Sequence, residues 1–218
     1  MAMDPLRLAI ALLPLAAYLM LVGALNLRRR PLLVSGGRDL LALGVALSGF
    51  VFVGPLDLLR PEPATAEFGN FVWLLILAFY WLWLVLIVLL ARPRLIAYNA
   101  SAEELHPILA EAASRLDPDA RWAGNSLALP KLGVQLHLES YHLMRNVSLI
   151  SSGAQQNLDG WRQLARELAT SLRRVRVKPN PRGAAIMAVS LLLIVVSISQ
   201  MLRHPVELAA SLHEMLTY

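Results

Sequence analysis

Four apolar runs without a single charge divide the chain: Leu8–Leu27, Leu40–Leu56, Phe71–Leu90 and Gly183–Leu202. A bilayer hydrocarbon layer of roughly 30 Å is crossed by about 20 apolar residues in helix. Inside it, backbone N–H and C=O groups must be paired within the segment, which leaves helices or closed barrels. The runs predict a polytopic α-helical membrane protein with four transmembrane helices, at roughly residues 6–27, 39–57, 69–91 and 183–202. Residues 92–182, between the third and fourth runs, are polar enough for a folded domain in water, and residues 203–218 form a short tail.

Composition agrees. The chain is 57% hydrophobic and 16% charged, against roughly 45–50% and 25% for soluble domains. Its net charge of +5 would suggest nucleic acid if the positive residues were spread over a soluble surface. They instead crowd beside the apolar runs: Arg28, Arg29, Arg30 and Arg38 after the first, then Arg173, Arg174, Arg176, Lys178 and Arg182 before the fourth. Such clusters orient helices and attract anionic headgroups. Membrane lipid is thus the partner this charge predicts, and nucleic acid is not. Cysteine is absent, which excludes disulfides, thiolate catalysis and zinc–thiolate sites.

The same charges predict topology. The loop 28–39 holds four arginines and one aspartate, so it belongs in the cytoplasm. The next loop carries Asp57, Arg60, Glu62 and Glu67 and belongs outside. Domain 92–182 then lies in the cytoplasm, and its Arg/Lys-rich exit favours that side independently. Both termini fall outside. The first run, flanked by Asp4 and Arg28–Arg30, reads as a retained helix rather than a cleaved signal. Trp73 suits an interfacial anchor, and Pro55 a stop to the second helix.

The domain reads as a small α+β unit in the order β-α-β-β-β-α, with one further short strand, folded as a two-layer sandwich. Arg94–Asn99 suits a strand. Ser101 with Glu104 makes a capping box, followed by an apolar stripe at Leu105, Ile108, Leu109, Ala112, Ala113 and Leu116 that Pro107 disturbs. Val134–Glu139 alternates between apolar and polar, as in a sheet with one face buried. Trp161, Leu164, Leu168 and Leu172 line a second helix.

Chemistry is less legible. His137 and Glu139 share a strand face, Tyr141 continues it and His142 is nearby, but a metal needs three or four convergent ligands. His106 would have to arrive from the helix. His137, Glu139 and His106 are the candidates for a lipid-acting membrane enzyme. No G-x-S-x-G elbow, phosphate loop, dinucleotide turn or H-E-x-x-H helix occurs, and no cofactor or metal is predicted. Ser151-Ser152-Gly153 offers at most a small anion-binding turn. The spans hold few polar groups, chiefly Asn26, Ser48, Ser197 and Gln200, so transport of a small solute or ion would require an oligomer. Val206, Ala209, Leu212 and Leu216 suit a short amphipathic tail helix. The reading that results is an interaction or regulatory domain in a membrane complex, with a protein partner or a second copy of the chain as its target.

Overall fold

The computed structural model describes residues 4–54, 71–141, 144–154 and 156–217, apart from the side chains of Trp73 and of residues 213–217. In chain order the elements are α1 (Pro5–Leu27), β1 (Leu32–Ser35), α2 (Gly36–Val53), α3 (Phe71–Leu90), β2 (Arg94–Tyr98), α4 (Ala102–Leu116), β3 (Arg121–Ala123), β4 (Ser126–Leu129), β5 (Val134–Tyr141), β6 (Asn146–Ser151), α5 (Leu158–Arg174), α6 (Arg182–Arg203) and α7 (Pro205–Thr217). They form two compact units. One comprises Met1–Leu21, Leu40–Leu90 and Ile186–Tyr218, and the other Val22–Asp39 and Ala91–Ala185.

The first unit is helical. Among the described residues α1, α2 and α6 are long and apolar enough to cross a membrane, and α3 contains the shorter apolar stretch Leu74–Leu90. Leu82, Leu89 and Leu90 on α3 and Leu192 and Leu202 on α6 lie exposed. So much exposed hydrocarbon is disfavoured in water and is stable in lipid. Inside the unit the Ser190 hydroxyl donates to the Ala16 carbonyl (2.7 Å) and the Tyr80 hydroxyl to the Gly44 carbonyl (2.6 Å). Small and hydroxyl-bearing residues are how helices associate where lipid removes the hydrophobic incentive. Helix α2 closes with the Gly54 N–H donating to the Phe50 carbonyl (2.9 Å). Pro55 and the charged residues Asp57, Arg60, Glu62 and Glu67 lie outside the described residues.

The second unit is an antiparallel sheet of six strands in the order β1-β2-β6-β5-β4-β3. The predicted strands are present, with Arg121–Ala123 as the short additional one. The sixth, β1, comes from the arginine-rich loop before α2, which reads from sequence only as a connection. It pairs with β2 in the register Leu33↔Ala97. Leu33 packs on the core, and β1 covers what would otherwise be the bare edge of β2.

Because β1 precedes α2 and β2 follows α3, their pairing requires the chain between them to leave and return on one side of any membrane it enters.

Helices α4 and α5 share one core with one face of the sheet, built on Leu105, Leu109, Leu136, Leu149, Leu164 and Leu168, all fully buried. The capping box forms as the sequence predicts: the Glu104 N–H donates to Ser101 Oγ (3.2 Å) and the Ser101 N–H to Glu104 Oε2 (2.9 Å). Helix α4 runs through Pro107 and stops at Asp117. Asp117 is buried, and its carboxylate accepts from the Asp119 and Lys131 N–H groups (2.9 and 2.8 Å), tying the helix end to the β4–β5 turn.

Glu104 also takes a bidentate contact from Arg145 Nη2 (2.7 and 2.8 Å). Burial works against its charge, but the Ser101 N–H and the Arg145 guanidinium outweigh that and hold the carboxyl below its ordinary range. A lowered folded-state pKa stabilises the fold above the unfolded value of about 4.3; that stabilisation disappears as pH falls through the folded value. Glu104→Gln should therefore weaken the domain at neutral pH and flatten the acid limb of a stability-versus-pH curve below about pH 4.3. Parallel acid limbs in parent and variant would contradict this.

Candidate functional site

The sheet face away from α4 and α5 divides in two. At the β1–β2–β6 end, Ile96, Tyr98 and Ser148 are buried. There the Tyr98 hydroxyl donates to Asp39, and Arg94 Nη2 donates to Ser148 Oγ (2.9 Å). At the β5–β4–β3 end, Gln135, His137, Glu139, Tyr141 and Arg121 are exposed and polar.

His137 stands opposite Ser126 in the β4–β5 register, and His137 Nδ1 lies 3.0 Å from Ser126 Oγ. The Tyr141 hydroxyl donates to Glu139 Oε2 (3.1 Å). His106 belongs to the other layer. It lies on α4 against Trp122, with ring centroids 4.4 Å apart, and Trp122 packs on the helix-side core. The structure therefore pairs His137 with Ser126 and leaves His106 across the sheet. Among the described residues no three metal-ligating side chains gather, and His142 lies outside them. A Ser–His contact can activate a hydroxyl, but here both groups stand on an open strand face.

Two of the N–H groups in the Ser151-Ser152-Gly153 turn are already committed. Ser151 donates to the Pro93 carbonyl (3.1 Å) and Ser152 to the Gln135 carbonyl (2.9 Å).

The second feature is a basic edge. Arg28, Arg29, Arg30, Arg38, Arg173, Arg174, Arg176, Lys178 and Arg182 are all exposed. Arg173 and Arg174 occupy the last turn of α5, where positive charge complements the helix dipole. The other clusters are joined through the backbone. The Val177 N–H donates to the Arg29 carbonyl and the Asn180 N–H to the Asn26 carbonyl (both 2.9 Å). Asn99 Nδ2 donates to the Arg28 carbonyl (2.6 Å).

Asn26 and Asn99 are fully buried and Asn180 nearly so. The Asn180 N–H thereby satisfies the Asn26 carbonyl, one of the last that α1 leaves without a helical partner, and the Asn99 side chain satisfies the Arg28 carbonyl just beyond the helix. Arg145 Nη1 donates to the Lys178 carbonyl (3.3 Å), holding the connection from its other side. Sequence reading treats the two clusters separately; the only hints of their union are the polar Asn26 at the end of an apolar run and the turn-prone Asn99 and Asn180.

In the helical unit an open apolar groove of about 430 Å³ is lined by Ile10, Leu13, Pro14, Ser48, Phe52 and Leu77, among others. Its polar member, Ser48, donates to the Val45 carbonyl (2.8 Å).

These features define a polytopic membrane protein carrying an inserted, non-barrel α/β sheet domain. Compared with protein-family models, curated proteins and solved structures, the chain matches none.

Proposed function

We propose that four helices hold the sheet domain at the cytoplasmic face, both termini outside, and that the domain is an interaction or regulatory module of a membrane complex. The supporting observation is the exposed β5–β4–β3 face. Two helices cover the opposite side of the sheet, while Gln135, His137, Glu139 and Tyr141 project from the uncovered face of β5. Antiparallel sheets keep such a face in water or use it for a partner. α3 is counted as the fourth span because its 20 residues match the length that lipid requires. The arginines between α1 and α2 favour the cytoplasm for β1, and pairing brings the rest of the sheet with it.

Site-specific photocrosslinking in native membranes tests the role. A photoreactive residue at His137 or Gln135 should give an adduct of defined mass, from a protein partner or a second copy. The same residue at Gln163, exposed on α5, should give none. Equal behaviour at all three positions would remove the proposal. The Ser126–His137 contact favours one second reading, acyl transfer or hydrolysis on lipid with Ser126 as nucleophile and His137 as base. It requires that Ser126→Ala abolish turnover of a lipid ester by the purified chain.

A further inference from the structure

We propose that Arg28–Arg30 and Arg176–Lys178 form one composite site for the phosphate of an anionic membrane lipid. The two segments lie about 150 residues apart in the chain, yet the Val177 N–H and the Arg29 carbonyl meet at 2.9 Å. Five cations, Arg28, Arg29, Arg30, Arg176 and Lys178, therefore flank a single backbone hydrogen bond. All five are exposed, and among the described residues none is ion-paired to a carboxylate. Like charges carried on adjoining backbone segments repel one another, so an arrangement that assembles them suits an anion.

The backbone beneath them is already ordered. The Asn26, Arg28 and Arg29 carbonyls each accept a hydrogen bond from the domain. Asn180 also receives the Arg182 N–H on Oδ1 (3.1 Å) at the first turn of α6. Gly183 fits closely there, since a Cβ on it would lie 2.8 Å from the Gly23 carbonyl oxygen. A ligand thus orders side chains only, which lowers the entropy lost on binding.

Connectivity identifies the ligand. The edge is where the chain passes from α1 into the domain and from the domain into α6, both long apolar helices. A basic group in that position meets lipid phosphate before any soluble anion, and arginine grips phosphate through paired N–H groups.

The test uses the full chain purified in detergent micelles doped with phosphatidylglycerol or phosphatidylcholine, with retained lipid counted by native mass spectrometry. The parent should retain phosphatidylglycerol preferentially. Neutralising Arg28–Arg30 to glutamine, or Arg176 and Lys178 to glutamine, should each weaken retention by at least about fivefold, the effect of one cation near the surface. Combining the sets should add little, because either half alone breaks a shared site. Asn99→Gly keeps every charge and suits the positive φ of 55° at that position. It removes the bond to the Arg28 carbonyl and should lower retention severalfold while the melting temperature reports an intact fold. Equal retention of the two lipids, or losses from the two clusters that simply add, would overturn the composite site. Complete displacement by millimolar inorganic phosphate would overturn the assignment to lipid.

Discussion

Gly160→Val should destabilise the sheet domain by about 3 kcal/mol, the upper end of what forced overpacking typically costs. Gly160 lies in the first turn of α5, directly against the β4–β5 turn. A Cβ there would sit 2.2 Å from the Leu132 carbonyl oxygen and 2.9 Å from Val134 Cγ2. The obstruction is backbone, so no rotamer change relieves it. The helix must lift, and lifting it withdraws Trp161, Leu164, Leu168 and Leu172 from a core in which each is buried. Fully burying such a side chain contributes about 1.5–3 kcal/mol, so even partial withdrawal is expensive. For a unit of this size the melting temperature should fall by at least about 10 °C, and protease should cut the domain in membrane vesicles. Gln163→Val, on the exposed side of the same helix, should shift stability by no more than about 0.5 kcal/mol. Matching melting temperatures for the two variants would show that α5 does not rest on that turn.

Gly49→Leu should have a comparable effect within the helical unit. Pro14 lies inside α1 and has no N–H, so the Ile10 carbonyl loses its helical donor. An exposed carbonyl in hydrocarbon is costly. Gly49 of α2 approaches so closely that a Cβ would lie 1.9 Å from the Ile10 oxygen. Leucine at this position must separate α1 from α2, lose their packing and uncover that carbonyl. In detergent the melting temperature should drop by at least about 5 °C. Pro14→Ala with Gly49→Leu should recover part of the loss, because alanine supplies the N–H that the Ile10 carbonyl lacks. No loss in Gly49→Leu would mean that the two helices are not held by this contact.

The parts legible in the sequence are those set by local rules. Lipid demands length and apolarity, which the runs announce. Ser101 and Glu104 satisfy each other three residues apart, and alternation in Val134–Glu139 follows from the pleat. What escapes sequence reading is non-local. β1 is four residues between Pro31 and Gly36, too short to announce itself, and its partner Arg94–Tyr98 lies some sixty residues on. The bond between Arg29 and Val177 depends on two backbone atoms, which no side-chain pattern encodes. His106 is a reasonable companion for His137 on paper, but helix and strand present them on opposite sides of the sheet. Ser126 becomes visible as the neighbour of His137 only once the β4–β5 register is known.

The proposed arrangement is one sheet assembled from segments either side of the α2–α3 passage and held on the cytoplasmic side. Single cysteines at Ser35 in β1 and Ser126 in β4, introduced into this cysteine-free chain, test it directly with a membrane-impermeant maleimide. Both positions should stay unlabelled in intact cells and react after permeabilisation. Labelling of Ser126→Cys in intact cells, or opposite behaviour at the two positions, would contradict the account.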